Sequence, residues 1–324
     1  MNIQHLRYAL AIARNELSVT QAAQVLGTSQ PAISRALKAL ETELGCEIFA
    51  RQGRSLAHIT PAGERALEIA ARAIDEIDAL RVMTADLKGD MSGKLSIATT
   101  HTQARYVLPP IVKAFRRRYP EVELHLHQGT SEQIADLVAT DRAQLAIATG
   151  SEGLFGGLVL LPVYRWQRHV IVPRRHPLTK VGKLSITELA RHPLITYVFS
   201  FSGPSSLHEI FARHGLRPRV AITARDADVI KTYVRLGLGV GIVASVALEA
   251  QVDADLAVID AAHLFPIHTT WVGFRQGTVL RRFTYDFLAL FGEHLTPRLV
   301  NRAQQLRDAN DRNELFRRIA LPVR

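Results

Sequence analysis

The first sixty residues carry apolar positions at helical spacing, separated by short polar turns. The apolar residues of the first segment recur every three or four positions: Ile3, Leu6, Leu10 and Ala13. This spacing predicts an amphipathic helix. Ser18 with Gln21 is typical of a capping box and opens a second, short helix that stops at Gly27. The pattern therefore predicts two helices before residue 28.

A third helix is predicted to begin within residues 28–31, where Pro31 is early enough to be tolerated, and to end at Gly45. Its buried positions are Ile33, Leu37, Leu40 and Leu44. Two short helices joined by a tight glycine turn form a helix-turn-helix. Residues 46–60 then predict two short strands around Gln52 and Gly53, which is typical of a wing. A small helical bundle with a polar surface is the alternative, and the order of these features disfavours it.

The polar residues left outside on the third helix are of the types that contact DNA. We predict six DNA-binding residues there: Ser29, Gln30, Pro31, Ser34, Arg35 and Lys38. The N-terminal part of such a helix enters the major groove, so Gln30 and Ser34 are expected to reach base edges. Arg51 and Arg54 lie near the predicted wing tip, where they would meet phosphates.

A long helix is predicted from Pro61 to about Lys88, with Thr60 as its N-cap. Its apolar face comprises Leu67, Ala70, Ile74, Ile77, Leu80 and Leu87. Pairing with the same helix of a second copy would bury this face and place two helix-turn-helix domains side by side. Packing on the chain's own second domain is the alternative. Residues 89–93 predict a hinge.

From Lys94 onward, strand-like and helix-like runs alternate, which predicts an α/β architecture. The stretch SIATTHTQARYVLPP runs from Ser96 to Pro110. It covers the place where the first strand of this region ends and its first helix begins. We expect backbone N–H groups of residues 102–104 to be free for an anion, with Thr100, Thr102 and Gln103 as neutral donors. Similar loops at 149–151 and 201–203 complete a predicted oxyanion site without a cationic side chain.

Composition and motifs limit the other functions. The 324 residues carry a net charge of +10, but residues 1–60 hold only +2 of it, so composition permits nucleic-acid binding without establishing it. The sequence predicts a cytoplasmic protein without a membrane partner. Three observations support this: Cys46 is the single cysteine, the N-terminus has no signal-peptide pattern, and no run of apolar residues is long enough to span a membrane. His101 has no partners at catalytic spacing, and His125 and His127 have no further metal ligands, so no catalytic residue, metal or cofactor is predicted. Lys231, which precedes the glycine-rich run 237–241, is expected to approach the ligand or to pack.

The motifs TSQPAISRALKALETELG and HITPAGE, followed by a long helix, a glycine hinge and an α/β domain, resemble the LysR-type transcriptional regulators over the whole chain. The resemblance implies an N-terminal winged helix-turn-helix, a linker helix and an effector domain of two subdomains like periplasmic binding proteins. The expected bounds are 1–60 for DNA binding, 61–88 for the dimerisation helix, 89–93 for the hinge, 94–162 with 267–294 for subdomain I, 163–266 for subdomain II and 295–324 for a helical tail. The chain would cross between subdomains near Pro162 and Pro266.

IATTHTQARYVLPP and DADVIKTYVRLGLGVGIVAS further resemble the CysB-like subgroup, activators of sulfur-assimilation and cysteine-biosynthesis genes. Carried over residue by residue, the resemblance implies that the effector-binding residues are Thr100, Thr102, Gln103, Thr149, Trp166 and Ser202. The implied partners are promoter DNA, RNA polymerase, an effector such as acetylserine, sulfate or thiosulfate, and further copies of the chain in a dimer or tetramer. The run GSEG after Thr149 departs from the subgroup and leaves open a regulator of sulfonate utilisation. A solute-binding protein or an enzyme on the same receptor fold are the remaining alternatives.

Overall fold

The computed structural model describes residues 2–53, 55–149, 152–201 and 206–324. The chain divides into two compact units. Unit 1 comprises Met1–Met91 and Gly277–Arg282, and unit 2 comprises Ser92–Gln276 and Phe283–Arg324. Across the described ranges, no helix is long and apolar enough to cross a membrane.

Unit 1 is the winged helix-turn-helix and long helix expected from the sequence. Its elements are α1 (Ile3–Arg14), α2 (Val19–Val25), α3 (Gln30–Leu44), β1 (Phe49–Gln52), β2 (Ser55–Ile59) and α4 (Pro61–Leu87). Ser18, Ser29 and Thr60 cap the N-termini of α2, α3 and α4 with their side-chain oxygens. Gly45 ends α3 in the left-handed region at φ 68°, where a side chain would be strained. The strands β1 and β2 pair antiparallel as the wing.

The apolar face of α4 divides into two parts. Leu67, Ala70 and Ile74 are buried in one core with α1 and α3. Leu80 and Leu87 remain 59% and 78% exposed. The expectation that the whole face is free for a second copy is therefore wrong for its first three turns, because α1 already packs there and Arg7 forms an ion pair with Asp78 at 2.6 Å. Only the last turns of α4 present an apolar face to solvent.

Unit 2 contains ten strands, in chain order β3 (Gly93–Thr99), β4 (Val122–Gln128), β5 (Leu145–Thr149), β6 (Leu158–Trp166), β7 (Arg168–Pro173), β8 (Leu194–Tyr197), β9 (Val220–Ala224), β10 (Val240–Ala244), β11 (Leu256–Ile259) and β12 (His268–Arg275), among its described residues. Its helices are α5 (Leu108–Arg118), α6 (Ser131–Ala139), α7 (Ile186–Ala190), α8 (Leu207–Ala212), α9 (Ala227–Arg235), α10 (Arg282–Phe291), α11 (Pro297–Gln305) and α12 (Ala309–Arg317).

These strands form two five-stranded sheets of similar construction. The orders are β4-β3-β5-β12-β6 and β9-β8-β10-β7-β11. In each sheet the first three strands are parallel, the fourth runs antiparallel to them, and the fifth pairs antiparallel with the fourth and so runs in the direction of the first three. From the central strand of each parallel trio the chain moves first to one side and then to the other, which creates a topological switch point where open α/β sheets bind ligands. The switch points lie between β3 and β5 and between β8 and β10.

Two expected boundaries move by a few residues. The strand β6 runs through Pro162 to Trp166, because Pro162 has its place in the register opposite Trp271, so the chain changes sheet at Gln167. The last residue of the expected hinge, Gly93, is already the first residue of β3 and pairs with Val122. The chain returns to the first sheet between Ile259 and His268. The tail folds into α11 and α12, and Val300, Ala303 and Phe316 anchor these helices with buried side chains.

Candidate effector site and DNA-reading surface

Four of the six predicted effector residues lie at the switch point of the first sheet. Thr100, Thr102 and Gln103 follow β3, and Thr149 ends β5. Opposite Thr149 across the sheet lies Thr270 of β12, and opposite Thr270 lies Tyr164 of β6. This register brings residues far apart in sequence to one place in the sheet.

A connected chain of side-chain hydrogen bonds results. The Tyr164 hydroxyl donates to Gln103 Oε1 at 2.7 Å, and Gln103 Nε2 donates to Thr270 Oγ1 at 3.4 Å. The hydroxyls of Thr270 and Thr149 are 3.2 Å apart, and the Trp166 indole N–H donates to Thr149 Oγ1 at 3.2 Å. Sequence reasoning predicted Gln103, Thr149 and Trp166 but missed Tyr164 and Thr270. We call these five residues the donor cluster.

Within the described residues, the donor cluster has one donor more than it uses. The Thr149 and Thr270 hydroxyls share one hydrogen bond, and the Thr270 hydroxyl is also hydrogen-bonded to Tyr164. The Gln103 amide has two N–H groups, of which one donates to Thr270. Gln103 is only 2% exposed, so an unused donor there is costly. A ligand rich in acceptor oxygens, such as an oxyanion or a carboxylate, fits this surplus.

The backbone does not supply the expected donors. After β3 the chain forms a π-helical turn, Gln103–Val107, before α5. The Gln103 N–H donates to Thr100 Oγ1 at 3.4 Å, and the Ala104 N–H donates to the Thr100 carbonyl at 3.0 Å. The expectation that the N–H groups of residues 102–104 are free is therefore wrong for two of the three, because Thr100 acts as the cap of this turn.

The second sheet contributes a tyrosine to the same region. Tyr197 ends β8, is 1% exposed, and its hydroxyl accepts from the Ala244 N–H at 3.2 Å at the end of β10. Burial raises the pKa of Tyr197 to about 12, and hydrogen bonds from the Ala244 N–H and the Thr102 hydroxyl partly oppose this rise. Thr102 therefore bridges the end of β3 to the switch point of the second sheet.

A buried cation follows Trp166 of the donor cluster by two residues along the chain. Arg168, the first residue of β7, is 4% exposed. Burial is the main cause that lowers the pKa of His268 to about 4, and the positive charge of Arg168 lowers it further. His268 in turn stacks on Trp166 of the donor cluster, with ring centroids 4.7 Å apart.

The titration of His268 yields a prediction about stability. Because the folded pKa lies below the ordinary value of 6.5, the unfolded chain binds more protons between pH 6.5 and 4, and stability is lost as pH falls through that window. We expect a loss of at most about 3 kcal/mol across it. Thermal unfolding followed by circular dichroism should show His268→Phe with a flatter pH dependence than the wild type. Leu126→Phe, which adds a phenyl ring at an exposed position of β4 without removing a titrating group, is the control and should leave the slope unchanged.

The third predicted loop lies partly outside the described residues. Ser202 falls there, as do Gly150 and Ser151 of the loop after Thr149. Ser202 therefore stays a prediction. The described residues that border this loop are Thr196, whose hydroxyl donates to the Ile242 carbonyl at 3.1 Å, and Ser200, 3.3 Å from Thr196 Oγ1.

A histidine that follows β3 meets two aspartates at the start of α9. The ligand atoms of His101, Asp226 and Asp228 lie within 4.8 Å of one another, which the sequence spacing did not indicate. Protein donors already occupy both carboxylates. Asp226 caps α9 through the Val229 N–H at 2.9 Å, and Asp228 accepts from the Tyr106 hydroxyl at 2.6 Å. Arg105 also faces this group, 4.0 Å from Asp228 and 3.3 Å from Glu249. We therefore assign the cluster a structural role, in which it joins the segment after β3 to the start of α9.

In unit 1, all six predicted residues of α3 are exposed: Ser29, Gln30, Pro31, Ser34, Arg35 and Lys38. Ser29 uses its side-chain oxygen to cap α3 through the Ala32 N–H at 3.4 Å. On the wing, Arg51 forms an ion pair with Glu41 at 3.2 Å, and Arg54 lies outside the described residues. Glu41, which sequence reasoning missed, also accepts from the Ile48 and Phe49 N–H groups and so fixes the wing to α3.

Two family descriptions match the two parts of this architecture. Residues 3–64 match the bacterial regulatory helix-turn-helix protein, lysR family, and residues 88–296 match the LysR substrate binding domain. The protein therefore belongs to the LysR family, whose members are transcriptional regulators that bind promoter DNA and small-molecule effectors and form oligomers, and are not enzymes.

Within that family the chain is similar to regulators of one type. It is 46% identical to the HTH-type transcriptional regulator CysB of Haemophilus influenzae, over the full length of both chains. It is 41% identical to the regulator cbl of Escherichia coli, over 93% of this chain and 96% of that protein. The solved cofactor-binding domain of the Cbl transcriptional regulator superposes with a TM-score of 0.63 at 41% identity, covering 67% of this chain and 96% of that domain.

Proposed function

We propose that this protein is a transcriptional regulator, mainly an activator, of sulfur-assimilation and cysteine-biosynthesis genes, and that it acts in the cytoplasm as a dimer or tetramer. In this proposal it senses acetylserine or a sulfur oxyanion, and DNA contacts come from Ser29, Gln30, Pro31, Ser34, Arg35, Lys38, Arg51 and Arg54. The observation that carries the proposal is the donor cluster, whose surplus of neutral donors suits oxygen-rich anions. The full-length similarity to CysB supports the choice of regulated genes.

A regulator of sulfonate utilisation is the second candidate. The regulator SsuR of Burkholderia cenocepacia is 40% identical over 91% of this chain, so the two candidates differ little in overall similarity. The departure GSEG follows Thr149 directly and so adjoins the donor cluster in sequence. A regulator with a different inducer is expected to differ at such a position, next to residues that would contact the ligand.

Titration of the full chain onto promoter DNA tests the proposal. The DNA comes from sulfur-assimilation genes in one series and from sulfonate-utilisation genes in the other, each with and without O-acetylserine, N-acetylserine, sulfate and thiosulfate. Sequence-selective binding at moderate salt that changes with one of these effectors supports the proposal. Selective binding to the sulfonate promoters alone supports the second candidate. Equal binding to random DNA removes both.

Substitutions on α3 are expected to weaken operator binding. Arg35→Ala or Ser34→Ala should cost about 1–3 kcal/mol of binding free energy if a base contact is lost. Lys38→Ala, if it removes a phosphate contact, should instead weaken all DNA sequences alike and reduce the salt slope by about 1. Fluorescence anisotropy with specific and random duplexes distinguishes these effects. Arg117→Ala, on an exposed arginine of α5, is the matched control and should bind as the wild type does.

A further inference from the structure

Arg168 is a buried cation for which the described part of the chain provides no counter-charge. Its side chain is 4% exposed, and its Nε and Nη1 atoms are buried without a hydrogen-bond partner among the described residues. Burial lowers the pKa of Arg168 to about 10, so the guanidinium stays charged at neutral pH. Buried charges in proteins are ordinarily paired, because an uncompensated one loses its hydration without replacement.

The position of Arg168 connects it to the effector site from both sheets. It follows Trp166 of the donor cluster by two residues, at the point where the chain changes sheet. Its neighbour across the second sheet is Ala244, whose N–H donates to the Tyr197 hydroxyl. Tyr197 is in turn hydrogen-bonded to Thr102. On the other side lies His268, stacked on Trp166, and its Nε2 is also buried without a partner within the described ranges.

The nearby carboxylates of the cleft are committed elsewhere. Asp228 and Glu249 face Arg105, and Asp226 caps α9. In the region that the structure describes, no aspartate or glutamate forms an ion pair with Arg168, whereas Lys231 and Arg235 share the buried Asp253. Among the described side chains, the charge of Arg168 is therefore left without a partner of opposite charge.

We propose that Arg168 is the cationic residue of the effector site and restricts it to ligands that carry a negatively charged group, an oxyanion or a carboxylate. The neutral donors of the donor cluster hold the oxygen atoms of such a ligand, while Arg168 compensates its charge. The inference rests on the proposed effector site and adds the charge selection that neutral donors alone do not provide.

Isothermal titration calorimetry and thermal unfolding of the full-length protein test this role. The probes are sulfate, N-acetylserine and the uncharged amide of N-acetylserine. We expect Arg168→Gln to weaken sulfate binding by roughly tenfold or more and N-acetylserine binding by less, because sulfate carries two charges. Wild-type protein should discriminate against the amide, and the variant should lose much of that discrimination. Arg165→Gln, which changes an exposed arginine three residues earlier, is the matched control.

The unfolding temperature without ligand separates this role from a structural one. Removing an uncompensated buried charge should leave the apo unfolding temperature of Arg168→Gln unchanged or raised, while the shift produced by sulfate disappears. A lowered unfolding temperature with sulfate affinity retained would overturn the inference. If Arg168→Gln does not fold, Arg168→Lys takes its place. This variant keeps the charge and should keep the preference for anions over the amide. Loss of that preference in Arg168→Lys would also count against the inference. Failure of the wild type to bind either anion would instead overturn the effector proposal itself.

Discussion

Replacing Asp253 with alanine is expected to lower the free energy of unfolding of unit 2 by about 3–5 kcal/mol, because it breaks a buried ion pair and leaves its cation behind. Lys231 Nζ lies 2.6 Å from Asp253 Oδ2, and the two side chains are 2% and 3% exposed. Burial alone would raise the pKa of Asp253, but the Glu249 N–H and the Lys231 ammonium hold it below its usual range. After the substitution, the partner that Lys231 retains among the described residues is Tyr106, with its hydroxyl at 3.4 Å and its ring centroid at 4.8 Å.

Tryptophan fluorescence during urea unfolding measures this change selectively, since both tryptophans of the chain, Trp166 and Trp271, belong to unit 2. Asp255→Ala is the matched control. Asp255 pairs with Arg235 at 2.7 Å but is 56% exposed, so its loss should cost less than about 1 kcal/mol. Adding Lys231→Met to Asp253→Ala should recover much of the loss, because no buried charge then remains unpaired. Equal effects of Asp253→Ala and Asp255→Ala would show that the pair contributes no more than a surface contact.

The same pair explains why Lys231 was ambiguous in the sequence. It lies on α9, and its partner follows 22 residues later in the turns before β11. A lysine among apolar residues near glycine-rich turns is equally compatible with a ligand contact and with packing. Only the fold shows that Asp253 lies against it, so Lys231 is committed to the interior of the second subdomain.

Local patterns were enough to predict the elements of unit 1 and the strand end at which the candidate effector site is placed. Helix caps, the turn at Gly27, the stop at Gly45 and the start at Pro61 are each encoded within a few residues, and each appears where expected. The turn after β3 was likewise visible as a polar cluster following an apolar run. Its backbone geometry was not, because a π-helical turn with Thr100 as its cap has no sequence signature distinct from an ordinary helix start.

Contacts across the sheet could not be predicted from the sequence. Gln103 and Thr270 are 167 residues apart and meet because β12 returns from the second sheet to lie between β5 and β6. The same insertion sets Tyr164 beside Gln103 and His268 beside Trp166. Arg168 looked like one basic residue among 40 because the burial that isolates it depends on both sheets. The half of the site formed by one strand end was thus predictable, and the half formed by sheet register was not.

The two switch points explain how a ligand in this site would act on the effector domain. Thr102 belongs to the first sheet and Tyr197 to the second, and their hydroxyls are hydrogen-bonded. A ligand held by the donor cluster and by groups of the second sheet would favour the arrangement in which both walls contact it. It can shift the conformational equilibrium only by the difference in its affinity for the two arrangements. Residues that contact ligand from one wall are therefore expected to control the response.

Gln103→Leu and Thr102→Val are expected to abolish the effector response while operator binding stays close to that of the wild type. Gln103 supplies the amide N–H that remains beyond its bond to Thr270, and Thr102 supplies the hydroxyl that reaches Tyr197. For Gln103→Leu, loss of a hydrogen bond to a charged ligand costs about 1.5–3 kcal/mol, so effector affinity should fall roughly tenfold to a hundredfold. Thr102→Val instead removes the hydrogen bond that joins the two sheets, so ligand binding should no longer favour one arrangement of the two walls. The predicted DNA contacts lie in unit 1, whereas both substitutions lie in unit 2. Calorimetry with N-acetylserine and sulfate measures the affinity, and anisotropy with operator DNA measures the binding that should persist.

Thr99→Val provides a matched control three residues before Thr102. Thr99 is fully buried, and its hydroxyl has no hydrogen-bond partner within the described residues, so valine preserves the volume and removes an unsatisfied group. This variant should bind effector and operator as the wild type does and be at least as stable. Gln103→Leu should also lower the free energy of unfolding by about 1–3 kcal/mol, since Tyr164 and Thr270 lose their shared partner. If Thr102→Val destroyed operator binding in a folded protein with the wild-type oligomeric state, sensing and DNA recognition would not be separable in the way that the two units suggest.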